Sequence, residues 1–501
     1  MSDSLTHADC LAISQRMRFP TQAYIDGTFR PAISGEVFAT VNPATGQVIA
    51  EVAACNRDDV EVAVKAARAA FADGRWSKLH PSERKAALLR LAQLVEDHQQ
   101  ELAVMESLDS GKPVGECAAV DLPETVKTLR WHAELIDKIY DATAPAGINT
   151  VALVTREAIG VVGCVLPWNF PLLMLAWKIG PALAAGCSVI VKPAELTTLT
   201  TLRVAELAAE AGIPAGVFNV VTGTGKDAGE PIGLHPDIDM VSFTGSTLTG
   251  RRFLRYSADS NLKRIVLECG GKNPAVVLAD AEDLGAVAQH VVNGAFWNMG
   301  ENCSATSRLI VHESIKDQLL EEIGKALAAW KTGDPLDPAN RIGALISSGH
   351  FLKVSSYLDV AQAEGCQVVF GGKTHEGIYV EPTVIDGVTQ QSRLFHEEIF
   401  GPILCVTTFR TVQEAIAIAN DTHYGLAASV FTANQRNAMK LAREIRSGTV
   451  TVNCFGEGDV STPFGGFKES GFGGRDKSIH AHDQYTELKT VWIDVSEPQQ
   501  A

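Results

Sequence analysis

Cys303 lies in the run Phe296-Trp-Asn-Met-Gly-Glu-Asn-Cys303-Ser-Ala, among small and polar neighbours after a glycine. Such surroundings suit an accessible thiol, whose thiolate attacks an electrophilic carbon. Most cysteines are inert packing, so the run alone leaves both readings open. Upstream, Leu267-Glu268-Cys269-Gly270-Gly271-Lys272-Asn273-Pro274 places a carboxylate before two glycines. A side chain there can swing, which suits a general base, and it reads equally as a buried, paired Glu. Two further cues concern phosphate and sugar. Gly245-Ser-Thr-Leu-Thr-Gly250 follows a strand-like run and opens a helix-like one. Backbone N–H groups at such a junction hold pyrophosphate. It is not G-x-G-x-x-G, and an ordinary glycine turn explains it as well. Val191-Lys192-Pro-Ala-Glu195 ends another strand-like run, where Glu195 would accept from ribose hydroxyls and Lys192 would donate. A solvated charged loop is the plain alternative.

The elements that must hold these residues are legible in the apolar pattern. Residues 58–139 are helical in spacing, with Gly74 and Gly111 as stops. From 159 the texture changes to alternation of strand and helix. GVVGCVL, CSVIVK, GVFNVVTG, IDMVSFTG and KRIVLE read as strands. PLLMLAWKIGPALAAG, ended by Gly186, TTLTTLRVAELAAEAG, a short helix after 222 and a helix near 247–257 lie between them. This is the signature of a doubly wound parallel sheet. A second α/β series runs from about 271 to 468, with strands near 274–278, 307–311, 403–408 and 428–431. The tail TELKTVWIDV has β texture and no hairpin partner beside it, so it must pair elsewhere, in this chain or another.

Bulk properties exclude several classes. The 501 residues are 46% hydrophobic and 20% charged, ordinary for a globular protein of about three domains or one elaborated α/β unit. A formal charge of -16 without a basic cluster makes nucleic acid a poor partner. The opening MSDSLTHADCLAISQRMRFP lacks the apolar core of a secretory signal. The apolar stretches 159–166 and 171–191 are broken by Pro167, Asn169, Pro171, Lys178 and Pro181, so no membrane span is expected. Ten Cys without a C-x-x-C point to reduced thiols and a cytoplasmic location. No metal site is expected.

Together the cues narrow sharply. PWNFP, KPAE, FTGS, LECGGKNP, GENCSA, EEIFGP and PFGGFKESG occur in this order. The chain, from about residue 20 to 495, resembles the aldehyde dehydrogenase superfamily. The stretch GGRDKSIHAHDQYTELKTVWI resembles the bacterial branch acting on γ-glutamyl-γ-aminobutyraldehyde and 4-guanidinobutyraldehyde. The resemblance implies an α/β fold of two doubly wound open-sheet domains plus a β oligomerisation arm. It assigns 1–141 and 159–270 to an NAD-binding domain and 271–470 to a catalytic domain. It assigns 142–158 and 483–497 to the arm of a homodimer or homotetramer.

The resemblance also implies roles. Cys303 is the nucleophile, Asn169 the oxyanion donor with the Cys303 backbone N–H, and Glu268 the base that hydrolyses a thioester. Trp168, Lys192, Glu195, Gly225, Gly245, Ser246, Gly250, Glu398 and Phe400 match cofactor contacts. Glu195 would repel a 2′-phosphate, favouring NAD over NADP. Phe170, Trp177 and Phe464 match apolar tunnel positions. Asn453-Cys-Phe-Gly-Glu457-Gly-Asp459 matches the loop that anchors substrate. Asp121 and Glu124, three apart on a helix, would share a face at the tunnel mouth. Four carboxylates there would suit a small aldehyde bearing a distant cation. They read equally as solvated acidic surface, and the aromatics as core. Glu301 stands where Gln is commonest and Cys269 where Leu or Ala is, and neither change removes a catalytic group. A CoA-acylating enzyme would not need Glu268, and a silent structural homologue should have lost Cys303 or Glu268. A broad-specificity aliphatic or aromatic aldehyde dehydrogenase stays open as an alternative.

Overall fold

The computed structural model describes residues 5–497. Residues 1–4, which open both the non-secretory stretch and the 1–141 segment, lie outside the described residues. The helical region forms as its spacing predicts. Asn56 caps Arg57–Asp73 through a reciprocal capping box, and Gly74 ends it in the left-handed conformation. Pro81–Asp97 and Gln99–Ser110 follow, and Gly111 closes the latter. Before the next helix, Leu122–Leu135, residues Cys117–Asp121 wind as a π-helix. That turn carries an extra residue, so faces counted in steps of three and four slip across it.

Seven of the eight strands of the first sheet come from the N-terminal 270 residues. Its order is Thr28–Arg30, Ala23–Ile25, Phe218–Val220, Ser188–Lys192, Val161–Val165, Met240–Thr244, Arg264–Glu268 and Gly471–Phe472. The five strands from Phe218–Val220 to Arg264–Glu268 are mutually parallel. Chain order reverses between Val161–Val165 and Met240–Thr244, and ligands sit beyond the carboxyl ends of strands at such a switch point. Asn169, Glu195, Gly245 and Glu268 all stand at or just past those ends. Helix Pro171–Ala185 starts with proline at its first position, ends at Gly186, and packs on Leu122–Leu135. The short strand Gly471–Phe472 returns to pair antiparallel with Leu267 and Glu268. A late segment of the chain is thereby laid against the predicted base.

A second, seven-stranded sheet runs Gln367–Phe370, Thr383–Asp386, Ile403–Phe409, Arg308–His312, Pro274–Val277, Ala427–Phe431 and Thr449–Val452. All its pairings are parallel except that of Gln367–Phe370. The four expected strands occupy its middle. Gln367–Phe370, Thr383–Asp386 and Thr449–Val452 were not expected, because four-residue strands give too little pattern to stand out. The three-residue N-terminal strands Ala23–Ile25 and Thr28–Arg30 escape for the same reason, and Val37–Val41 and Val48–Ala53, only partly buried, lack an unbroken apolar run. The tail finds its partner within the chain. Thr486–Asp494 pairs antiparallel along the whole of Thr150–Ala158, with Ala142–Ala144 on the far side. Among the described residues no helix is long and apolar enough to cross a membrane.

Candidate active site

Cys303 and Glu268 line one closed cavity, with Phe170, Leu173, Met174, Trp177, Thr244, Phe464 and Glu457 among its walls. It has room for about one water-sized sphere. Cys303 sits on the turn before strand Arg308–His312, where Asn273 Nδ2 donates to its carbonyl at 2.8 Å. Burial, then the charges of Glu457, Glu398 and Glu268, push its thiol well above the usual range. Glu268 ends strand Arg264–Glu268 and is 4% exposed. Neither of its carboxyl oxygens has a hydrogen-bond partner. Burial first, then Asp476, raises its pKa well above the carboxylate range. Gly465 gives it space, since a Cβ there would stand 2.5 Å from Oε1. Glu268 is thus an unpartnered acid facing the same small space as the thiol.

Asn169 lies on the loop between strand Val161–Val165 and helix Pro171–Ala185. Its Nδ2 donates to the Glu301 carbonyl at 2.9 Å, two residues before Cys303. An amide carries two N–H groups, so one remains for a developing oxyanion. The Asn169 carbonyl accepts from Asn298 Nδ2 at 3.0 Å and from Lys112 Nζ at 3.2 Å. The loop is therefore held from both sides.

An outer pocket of about 530 Å3 leads toward this cavity and shares Leu173, Trp177 and Glu457 with it. Phe170, Trp177 and Phe464 form an aromatic wall, Trp177 and Phe464 lying 5.1 Å apart edge to face. Of the four predicted mouth carboxylates, the structure brings two to the pocket, Glu124 and Glu457. Glu457 accepts from Ser304 Oγ, next to the nucleophile, and burial raises its pKa. Asp121 is a correction. It is 0% exposed and paired with buried Lys112, because residues three apart on a helix differ by about 60° and only Glu124 is on the pocket side. Asp459 is a second correction, lying in a separate surface depression and bonded to Lys127 at 2.7 Å. Sequence reasoning missed Glu116, Arg341 and Lys477 at the mouth. Glu116 has an unpartnered Oε1 and a pKa pushed up to about 7 by burial. Lys477 lies over the Trp177 and Phe464 rings at 5.1 and 5.4 Å. Lys477 lies within the stretch GGRDKSIHAHDQYTELKTVWI that carries the narrower resemblance, but nothing there shows that it faces the mouth.

The remaining predicted residues gather along the carboxyl edge of the first sheet. Lys192 Nζ donates to Glu195 Oε2 at 3.3 Å, and the Glu195 carboxylate is about half exposed. Gly225 opens the turn Gly225–Gly229, with open space where a Cβ would stand. Ser246 caps helix Thr247–Ala258 after Gly245, and Gly250 lets that helix approach Cys269. Glu398 accepts from the Gly271 N–H at 2.9 Å and lies directly over Gly270. Trp168 meets Phe400 edge to face at 5.3 Å, and the Phe400 carbonyl accepts from His350 Nε2 at 2.7 Å. An exposed carboxylate, an open glycine and a capped helix N-terminus in a row suit ribose and diphosphate.

Comparison with known proteins agrees with this geometry. The aldehyde dehydrogenase family model matches residues 29–491. An aminoacetaldehyde dehydrogenase of Pseudomonas aeruginosa is 68% identical over 496 residues, 99% of this chain and 100% of its own. A solved indole-3-acetaldehyde dehydrogenase in complex with NAD+ superposes with TM-score 0.97 at 48% identity, covering 98% of this chain and 100% of that one. A γ-glutamyl-γ-aminobutyraldehyde dehydrogenase from Burkholderia cenocepacia J2315 superposes with TM-score 0.96 at 49% identity, with the same coverage. With a thiol and a carboxyl converging on one cavity at the edge of such a sheet, the chain belongs to the aldehyde dehydrogenase family.

Proposed function

We propose that this protein oxidises an ω-amino or ω-guanidino aldehyde to its carboxylate, with NAD as oxidant and NADP as a weaker substitute. The observation that carries the reading is the shared cavity of Cys303 and Glu268, with the Glu457 carboxyl between it and the mouth. Bound at the edge of the first sheet, NAD supplies a hydride acceptor beside the thiol. Lys192 and Glu195 would hold its ribose hydroxyls, Gly225, Gly245, Ser246 and Gly250 its diphosphate, and Trp168, Glu398 and Phe400 its far end. Gly225 has the space and Ser246 the helix terminus that this needs. The Glu195 carboxylate disfavours a 2′-phosphate.

Cys303 Sγ gives up its proton to solvent water and attacks the aldehyde carbon. The new oxyanion is held by the free Asn169 N–H and the Cys303 backbone N–H. Transfer of hydride from the same carbon to the bound oxidant would leave a thioester on Cys303. Glu268 takes a proton from water, the hydroxide attacks the thioester, and the thiolate departs with the acid released. The presence of Glu268 supports hydrolysis rather than transfer to CoA.

Charge at the mouth favours a cationic tail. Lys477 already covers the Trp177 and Phe464 faces and Lys127 is bonded to Glu124, so an incoming ammonium finds Glu457 and Glu116 first. The aminoacetaldehyde relative supports the same substrate class. A charge-assisted bond in a partly desolvated mouth is worth about 1–3 kcal/mol, roughly ten- to a hundredfold in kcat/KM. Side-by-side assay of 4-guanidinobutyraldehyde and butyraldehyde should show that margin, and a faster butyraldehyde rejects the cationic substrate. The aromatic wall favours a second reading, a broad-specificity enzyme for aliphatic or aromatic aldehydes, which an arylacetaldehyde outrunning both would support.

Residues 1–141 and 159–270 form the NAD-binding domain in this reading and 271–470 the catalytic domain. Segments 142–158 and 483–497 form an arm that joins copies into a homodimer or homotetramer. Exposed Leu488 and Trp492 on that arm, at 69% and 67%, support such a role. Ten unpaired cysteines support a cytoplasmic location.

A further inference from the structure

Three ionisable side chains with no place in the reaction above lie buried behind the Asn169 loop. Lys112, Asp121 and Glu106 are at most 1% exposed. Asp121 and Lys112 form an ion pair. Glu106 Oε2 accepts from the Leu172 backbone N–H at 3.3 Å, and Lys112 Nζ donates to the Asn169 carbonyl at 3.2 Å. The Lys112 ammonium also lies 4.1 Å from the centre of the Phe170 ring. The group therefore grips residues 169–172 at a carbonyl, at an aromatic face and at an N–H.

Burying three charges is costly, and hydrophobic replacements of buried ion pairs are often as stable. A purely structural duty does not require them here. Directed contacts do, because an ammonium donates to a carbonyl and sits on a ring face along fixed directions. Burial, then the Asp121 charge, raises the Glu106 carboxyl, and Lys112 opposes that rise. The task within reach of these contacts is the placement of the Asn169 loop.

We propose that Lys112, held by Asp121, is a positioning residue that fixes the Asn169 amide for the oxyanion. The proposal rests on the reading of Asn169 as oxyanion donor. Lys112 touches no reacting atom. It acts by holding the Asn169 backbone so that one N–H of the side chain stays on Glu301 and the other is left for the oxyanion. Misplacement of a catalytic group by about an ångström costs on the order of a hundredfold in rate.

The test is a double-mutant cycle on kcat/KM for NADH formation. Lys112→Met should lose about ten- to a hundredfold in the wild-type background, and less than about threefold in an Asn169→Ala background. Asp121→Asn, which keeps an acceptor for Lys112, should lose about three- to tenfold in the first and little in the second. It decides the question if Lys112→Met does not fold. Equal losses in both backgrounds overturn the proposal, because a structural role would act whether or not the amide is present. Loss in neither background overturns it as well. Asn169→Ala with full activity removes the oxyanion reading itself and this proposal with it.

Discussion

The catalytic cavity and the outer surface treat carboxylates in opposite ways. Glu268 is buried inside and Glu457 is half-buried where cavity and mouth meet, and desolvation raises both pKa values. In its separate surface depression Asp459 is exposed, and its bond to Lys127 holds its pKa below the ordinary value. The same side-chain type is a proton-transfer group in one place and a screened surface charge in the other. Burial, not identity, sorts them. Asp121 and Glu124 make the point within three residues, one paired out of reach of solvent and the other lining the mouth.

The largest effect that would break the comparison lies at the bottom of the cavity. Cys303→Ala should lower turnover by about 10^4-fold or more while NAD binding and thermal unfolding stay as in wild type. Substantial NADH formation by the folded variant would remove the thiol from the chemistry.

Glu268→Gln should lower steady-state turnover by about a hundredfold or more and leave a rapid burst of NADH, because acylation outlives deacylation. Its pH profile sharpens the contrast. Both Cys303 and Glu268 have raised pKa values, so both are protonated on the acid side, where neither reacts. Wild-type kcat/KM should therefore rise with pH through and above neutrality. A rate falling over that range would contradict the assignment.

Glu457→Gln probes the boundary between the regions. It should lower kcat/KM for 4-guanidinobutyraldehyde by about tenfold. For butyraldehyde the rate should hold or rise, since the charge of Glu457 ranks first among the neighbours that raise the Cys303 thiol. Equal losses on both substrates would make Glu457 a general structural residue. Asp459→Asn should change either rate by less than about twofold, as expected of an exposed pair with Lys127. A tenfold selective loss there would return Asp459 to the substrate path.

Much of the site could be read in advance because its residues are set by local chain geometry. Glu268, Gly245 and Lys192 end parallel strands whose apolar runs are unmistakable, and strand ends at a switch point face one crevice. Cys303 and Asn169 occupy short motifs between such elements. Short strands such as Thr449–Val452 escaped notice, having too few residues for a period to show. Lys477 and Glu116 escaped because nothing near them in the chain says which cavity they face. Asp121 and Asp459 were misplaced for a related reason. Face counting puts Asp121 and Glu124 on one side, yet about 60° separates them, and a buried lysine beside Asp121 decides its side. A loop carboxylate goes to the nearest cation, which for Asp459 is Lys127 on a helix far away in sequence.

The sequence by itself determined the alternation of strands and helices and the order of the motifs, and through those motifs the resemblance that assigns Cys303, Glu268 and Asn169 their proposed roles. The alternation follows from periodicities of two and 3.6, which need no distant partner. The tertiary structure alone decided which carboxylates meet the substrate path, which meet buried lysines, and that the tail lies on Thr150–Ala158 of its own chain. Those outcomes depend on desolvation and on long-range pairing, and both are properties of the packed chain that no local stretch of residues contains.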